Sequence, residues 1–354
     1  MLENVVAEKI SLAFGAGASL ASLAPLAGDA SSRRYYRARL SSPTAPRSLV
    51  VMELSGSALP LSSEELAVFS EPLTELPFLN VHRFFKSIGA RVPELYGHWV
   101  EEGLLLLEDL GDLCLWDRVQ ELPAAEVLKW YEKAIDQLLL IQVEGTRKRD
   151  DSCIAFMQRF DFRLYMWEFD HFIEYGLEKR PGVDLSEVEK KLLRATFAMI
   201  SRRLESAPPC LNHRDFHSWN LMVHEGGIAV IDFQDALLAP PQYDLASLLN
   251  DRETDSVIRP DLENRLVDYY LGKREEMGET RADRDEFLER YLLSALQRDF
   301  KVVGRFHYLD LVKGKPGYKK YLPPTLSRIK RNLEKLPELE KLVPLLAKHF
   351  EEMR

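Results

Sequence analysis

The sequence is short of cysteine, of long apolar runs and of positive charge. Cys114, Cys153 and Cys210 are odd in number and form no CxxC pair. That argues against a disulfide framework or a cysteine-built zinc site, and for a reducing, cytoplasmic setting with buried, inert thiols. Lys and Arg number 47 against 56 Asp and Glu, a formal net charge of -9. A broad nucleic-acid-binding face needs the opposite balance. The four leucines from Leu104 to Leu107 are too few to span a bilayer and suit a buried strand. Ile10 to Ala27 is rich in Ala, Leu, Ser and Gly, yet Glu3 and Glu8 oppose Lys9 ahead of it, so it has no positive leader. Gly15, Gly17 and Pro25 interrupt the run. It reads as a helix end, a turn and a first strand, and no membrane partner is expected.

What is present is an ordinary globular chain of 354 residues, 46% hydrophobic and 29% charged. That length suits one large domain or two joined lobes. There is no internal repeat. Residues 33–40 and 47–54 read as two strands around a Pro/Ser turn, residues 78–88 as a helix, and 94–99 and 104–108 as two more strands. Beyond LEDLG (107–111) the pattern becomes helical, with periodic segments over 124–143, 154–175, 185–205, 261–277, 285–303 and 336–352. Within 208–235, LMV and IAVID flank a HEGG turn and read as a hairpin. The expected fold class is α+β: a small N-terminal sheet lobe over 1–108, a hinge near 108–112, and a helical lobe over 109–354 carrying a loop-and-hairpin site.

The chemistry concentrates in residues 211–236, LNHRDFHSWNLMVHEGGIAVIDFQDA. His213 and Asp215 are followed by Asn220, five positions after the aspartate, and by Asp232 at the end of an apolar strand. Phosphoryl transfer needs a carboxylate to orient a hydroxyl and accept its proton, and an amide oxygen with a second carboxylate to hold Mg²⁺ against phosphates. HxDxxxxN followed by a strand ending in DF supplies that set. Asp215 is then the candidate base and Asn220 and Asp232 the candidate metal ligands, with His213 bracing the loop. The plainer reading is a hairpin whose polar turn residues cap nearby backbone groups.

On these residues the chain resembles the aminoglycoside phosphotransferase and choline kinase superfamily, which has the protein-kinase-like two-lobed fold. Within it the chain is most similar to bacterial N-acetylmuramate/N-acetylglucosamine anomeric kinases. The matching stretches are GDASSRRYYR (28–37), GLLLLEDLG (103–111), HRDFHSWNLMV (213–223), IDFQDA (231–236), YDLASLLND (243–251), QRDFKVVG (297–304) and GKPGY (314–318). The resemblance implies ATP and Mg²⁺ as cofactors and a small-molecule substrate, most plausibly a sugar. It places Gly28, Ser31, Ser32, Arg33 and Arg34 in a phosphate-covering hairpin, and the backbone of Glu108 to Leu110 at the adenine. Two departures stand out. The phosphate loop is not GxGxxG, and Met52 occupies the strand position where an ATP-binding lysine is expected. A methionine cannot pair with phosphate, so the charge has to come from elsewhere, with Arg33 or Arg34 the candidates.

Other residues are weighed against plainer roles. Asp235 supports the site or approaches the metal. Asp244 caps or anchors the following helix, and His217 is a hydrogen-bonding loop residue. Phe156, Phe160, Leu164 and Trp167 form a core stripe or cleft wall. From Arg298 to Arg331 there are ten Lys or Arg against Asp299 and Asp310. This is either a solvated face or an attraction for an anionic substrate, with Arg298 and Lys301 the first residues to test. The lactyl carboxylate of N-acetylmuramate suits such a patch and a polycationic aminoglycoside does not. The alternatives are a kinase for an aminoglycoside, choline, homoserine or a thioribose, or a nucleotide-binding regulatory protein. A protein kinase is disfavoured by the short segment after Asp232. The oligomeric state has no signature in the sequence.

Overall fold

A computed structural model describes residues 2–26, 33–43, 45–54 and 75–354. Five antiparallel strands, β1 (Ser19–Pro25), β2 (Arg34–Ser41), β3 (Ser48–Glu53), β4 (Leu95–Trp99) and β5 (Leu104–Glu108), form one sheet in the order β1-β2-β3-β5-β4. The leucine run is β5, and its alternation serves both faces. Leu104 and Leu106 join Ala38, Leu49 and Val51 against Val6 and Ile10 of α1 (Leu2–Phe14). Leu105 and Leu107 face the other way with Met52, in the core shared with α2 (Pro77–Ser87). A strand covered on both faces reads as a continuous apolar run rather than an alternation.

The rest is largely helical: α3 (Leu115–Val119), α4 (Ala124–Leu139), α5 (Phe162–His171), α6 (Glu187–Glu205), α7 (Gln242–Leu249), α8 (Pro260–Glu276), α9 (Arg284–Leu311) and α10 (Leu322–Leu333). Short polar residues start several of them. Ser186 and Glu189 form a capping box at α6, Asp161 accepts from Leu164 N–H at α5, and Asp283 accepts from Glu286 N–H at α9. Each such cap is worth about 1 kcal/mol. Between α6 and α7 lie β6 (Cys210–Asn212), paired with β9 (Leu237–Ala239), and the hairpin β7 (Leu221–His224) with β8 (Gly227–Val230). Glu225 and Gly226 turn that hairpin with φ of 50° and 76°, the positive pair that a tight two-residue hairpin requires.

Two helical expectations need correction, and one helix was not expected. Residues 154–175 are not one helix. Phe160 N–H donates to the Leu238 carbonyl at 2.8 Å, and Leu238 N–H to the Gln158 carbonyl at 2.9 Å, so this stretch spends its backbone on β9 before α5 begins. Phe156 and Phe160 consequently enter different cores. Residues 336–352 hold only a short helix, Leu342–Leu346, between 3₁₀ turns; Pro337 and Pro344 each remove a backbone donor there. Helix α10 was hidden by Pro323 and Pro324, which occupy its first turn, where proline costs nothing.

One core runs from the inner face of the sheet into the helical part, joining Met52, Leu105 and Leu107 to Leu138, Leu211, Phe233 and Leu245. A second core lies among α5, α6, α9 and α10. Phe216, Leu221 and Phe233 belong to the first, and Leu237, Ala239 and Tyr243 to the second. The loop-and-hairpin segment therefore sits at the seam between them, anchored on both sides. Arg37 of β2 ties the sheet to the hinge through Asp109 at 2.8 Å and Asp112 at 2.9 Å. Among the described residues no helix is long and apolar enough to cross a membrane.

Candidate active site

The site begins where β6 ends. Asn212 is fully buried; its amide donates to the Ala239 carbonyl at 2.9 Å and its Oδ1 accepts from Gln142. The next two backbone N–H groups, of His213 and Arg214, donate to the Asp244 carboxylate at 2.5 and 3.0 Å. Asp244 lies in the first turn of α7, so it anchors the preceding loop rather than capping its own helix. Burial pushes its carboxyl up to about 7, against the pull of the two N–H donors. His213 Nε2 donates to the Ile231 carbonyl at 2.9 Å. Burial lowers this imidazole to about 4, so it is a neutral brace between the loop and the segment leading to Asp232.

Arg214 has φ of 82°, a left-handed conformation that costs a residue with a side chain roughly 1–3 kcal/mol. It is pinned three times: its N–H by Asp244, its carbonyl by Arg298 Nη1 at 2.8 Å, and its guanidinium by Glu168 at 3.2 Å. The bend turns Asp215 toward solvent, with its side chain 36% exposed. Behind it lie buried charges. Arg298 Nη1 is 3.5 Å and Lys301 Nζ 3.9 Å from Asp215 Oδ1, while fully buried Glu168 receives Lys301, Arg214 and Gln297. Burial opposes ionisation of Asp215, but Lys301, Arg298 and Arg214 outweigh it and hold the carboxyl far below the usual range. The Arg298–Arg331 segment is thus not one solvated face. Arg298 and Lys301 turn inward to Asp215, Arg328 is buried against Asp299 at 2.6 Å, and Arg331 pairs with Asp255.

Asn220 and Asp232 meet at the open end of the hairpin. Ile231 N–H donates to the Asn220 carbonyl at 3.0 Å, continuing the β7–β8 ladder by one step. Asn220 Nδ2 donates to the Asp215 backbone carbonyl at 3.0 Å, which leaves its Oδ1 as an acceptor. Asp232 is exposed, has φ of 63° and accepts from Gln234 Nε2 at 2.9 Å. One amide oxygen and one carboxylate suit Mg²⁺, which takes few protein ligands when phosphates supply the others. No larger His/Cys/Asp/Glu metal cluster stands among the described residues. Asp235 is half-buried, and its charge acts on His213.

On the sheet side, Gly28, Ser31 and Ser32 lie outside the described residues. Arg33 is 8% exposed. Its charge acts on the Tyr35 hydroxyl, as does that of Asp232; burial is the main reason this phenol titrates high. Arg34 instead points along the strand surface to Glu53, 3.0 Å away, and is 70% exposed. Met52 faces Tyr35 in register and is fully buried. The Glu108 carboxylate is held by both arms of Arg91 at 2.6 and 2.7 Å, and the buried Leu110 offers its carbonyl to His224 Nδ1 at 3.3 Å. The structure therefore gathers His213, Asp215, Asn220, Asp232, Asp235, Arg298, Lys301 and Arg33, and directs the side chains of Arg34 and Glu108 elsewhere.

Comparison with known proteins decides the family. A model described as the phosphotransferase enzyme family matches residues 22–287. The chain belongs to this family. Among curated relatives, N-acetylmuramate/N-acetylglucosamine kinase of Pseudomonas aeruginosa is 30% identical over 92% of this chain and 88% of the relative, and the protein of the same name in Neisseria meningitidis is 28% identical over 90% and 88%. Among solved structures, choline kinase LicA from Streptococcus pneumoniae superposes with a TM-score of 0.59 at 15% identity, covering 95% of this chain and 99% of that one. The streptomycin–ATP–APH(2")-IIa ternary complex gives 0.56 at 14%, covering 90% and 97%. The last two establish a shared fold.

Sequence reasoning passed over Glu168, Gln234, Trp219 and Arg252. Glu168 carried a signal: it stands four residues after Leu164 and four before Phe172, on the apolar stripe of its helix, where a carboxylate needs buried partners. The others gave none, because they gain meaning only from what folds against them.

Proposed function

We propose that this phosphotransferase is a magnesium-requiring, ATP-dependent kinase acting on the anomeric hydroxyl of an N-acetyl amino sugar, N-acetylmuramate or N-acetylglucosamine. The observation that carries the reaction type is the convergence of Asp215, Asn220 and Asp232 at one end of the hairpin. The names of the relatives supply the acceptor class. The implied role is salvage of cell-wall sugars, and the three buried, unpaired thiols suit the cytoplasm.

In this reading ATP enters between the sheet and the helical part. Its adenine meets the backbone of Glu108 to Leu110, and Arg33 adds to its phosphates the charge that Met52 lacks; the sequence assigns Gly28, Ser31 and Ser32 to the same phosphates. Asn220 Oδ1 and the Asp232 carboxylate would hold Mg²⁺, which would supply positive charge to offset that of the phosphates. Asp215 orients the acceptor hydroxyl. The sugar oxygen forms a bond to the γ-phosphorus as the bond from that phosphorus to the β,γ-bridging oxygen breaks; the hydroxyl proton goes to Asp215 and ADP leaves. A strongly acidic carboxyl is a weak base. It suffices because in a loose phosphoryl-transfer transition state the nucleophile is positioned well before it loses its proton. Arg298 and Lys301 keep Asp215 ionised and in place, and His213 and Asp235 support the loop.

The test is ATP consumption with Mg²⁺ on N-acetylmuramate, N-acetylglucosamine, N-acetylgalactosamine, glucose, choline, homoserine and kanamycin, beside Asp215→Asn. Turnover on the N-acetyl sugars, lost by a thousandfold or more in the variant, with an acid-labile product phosphate, is the expected result. ATP binding without turnover on any acceptor would overturn the reading in favour of a regulatory nucleotide-binding protein, which is what Met52 alone would suggest.

A further inference from the structure

Helix α7 touches the site at both ends. Its first turn carries Asp244 under the catalytic loop, and the turn that follows its C-terminal end carries Asp251 and Arg252. Both are rigidly placed. Asp251 N–H donates to Thr254 Oγ1 at 3.0 Å, and the Arg252 carbonyl accepts from the buried Arg328 at 3.1 Å. Between these anchors Arg252 has φ of 41°, another left-handed residue with a long side chain, of the kind that persists only where its surroundings over-determine it.

The side chains are under-used by the protein itself. Asp251 is 4% exposed, yet its Oδ2 has no hydrogen-bond partner and stands 3.8 Å from Arg252 Nε, beyond hydrogen-bond distance. Arg298 Nε and His217 Nδ1 are also buried without a partner. The residues that carry them neighbour the candidate base: Arg298 reaches Asp215 through its Nη1 at 3.5 Å, His217 is two residues further along the loop and its charge acts on Asp215, and the charge of Asp251 acts on both His217 and Arg298. Buried polar atoms are rarely left unpaired, because each costs the free energy of its lost hydration. An acceptor, a ring nitrogen and a donor clustered in this way suit the hydroxyls of a sugar ring.

Arg252 adds a charge. Its guanidinium lies 4.5 Å from the ring of Trp219 and 5.5 Å from that of Tyr321. Trp219 immediately precedes Asn220 and is itself stacked on Trp116 at 4.9 Å. Among the described residues the long contact with Asp251 is the only ion pair of Arg252. A guanidinium whose neighbours are aromatic rings rather than carboxylates keeps N–H donors for an incoming carboxylate.

Resting on the sugar-kinase reading, we propose that Asp251 and Arg252 form the acceptor wall: Asp251 accepts from ring hydroxyls, and Arg252 receives the lactyl carboxylate that distinguishes N-acetylmuramate from N-acetylglucosamine. The anionic end of the substrate thus meets α7, while Arg298 and Lys301 serve the base.

The test compares KM and kcat on both sugars for the wild type, Arg252→Asn, Arg252→Lys and Asp251→Asn. Asparagine accepts a left-handed backbone, so Arg252→Asn removes the charge with little added strain. It should raise KM for N-acetylmuramate tenfold or more, with kcat and both constants for N-acetylglucosamine within about threefold. Arg252→Lys should recover part of that loss, and Asp251→Asn should weaken both sugars alike. The wild type should also discriminate against the uncharged carboxamide of N-acetylmuramate, a measurement independent of any variant's folding. An unchanged ratio between the two sugars in Arg252→Asn, or equal use of acid and carboxamide by the wild type, overturns the assignment while leaving the kinase reading intact. A wild type that turns over neither sugar overturns both.

Discussion

The helical side and the sheet side of the cleft are built on opposite principles. Around Asp215 the protein buries a network of charges: Glu168 receives Arg214, Lys301 and Gln297, and Arg298 holds the carbonyl of Arg214. On the sheet, the strand proposed to face the nucleotide carries a fully buried methionine, and Arg33 sits immediately before β2. The charge around Asp215 is locked in place by buried partners, whereas in the proposed nucleotide site the sheet contributes shape, main chain and one arginine. Changes of charge should therefore damage stability and chemistry on the helical side, and nucleotide affinity on the sheet side.

The largest effect expected is on folding. Glu168→Leu leaves the Arg214 guanidinium and the Lys301 ammonium buried without their carboxylate, and should cost about 3–5 kcal/mol, read as a shift in the urea midpoint. Met52→Leu, a volume-conserving change in the sheet core, should cost less than about 1.5 kcal/mol. Equal losses would break the contrast. Next comes Lys301→Met, which removes the strongest positive influence on Asp215. It should lower kcat on the order of a hundredfold. The Asp215 carboxyl is held low, so removing the cation lets it rise; activity that depends on the ionised form should then fail at a higher pH as the medium is acidified. A pH profile of kcat/KM measures the sign, and an acid limb that moves down or stays fixed would separate Lys301 from the base.

The legibility of the two sides also differs. The loop-and-hairpin segment could be read because residue types at fixed spacing flank a turn, and the β7–β8 hairpin converts the twelve positions from Asn220 to Asp232 into proximity. The strands could be read because the Leu104–Leu107 run has nowhere to go but a core. Arg298 and Lys301 read as either a solvated basic face or an attraction for an anionic substrate, since linear charge density cannot show that α9 turns these two cations inward to Asp215. Asp244 looked like a helix cap because its service to the His213 and Arg214 amides crosses thirty residues of chain. Helix α10 was missed because two prolines read as a break, when in a first turn they are a start. In each case the missing information is which face meets which, and tertiary packing settles that.

The smaller effects sharpen the sheet side. Arg33→Met should raise KM for ATP about tenfold, the scale of one lost charge-assisted contact to phosphate, with kcat on saturating ATP within a few-fold. An unchanged KM would remove Arg33 from the nucleotide site and leave the absence of lysine at Met52 uncompensated by that arginine. Arg34→Met is the smallest change and the control for the other. The two arginines are neighbours of equal charge and differ in where they point: Arg33 is buried beside Tyr35, and Arg34 is 70% exposed with its guanidinium on Glu53. Exposed pairs of that kind contribute about 0–1 kcal/mol, and Tyr36 still donates to Glu53 at 3.1 Å after the arginine is gone. Arg34→Met should therefore leave stability within about 0.5 kcal/mol and KM for ATP within about twofold. A loss as large as that of Arg33→Met would mean that ATP senses the summed charge of the strand end. The distinction between a buried and an exposed arginine, on which the reading of the sheet side depends, would then have no functional content.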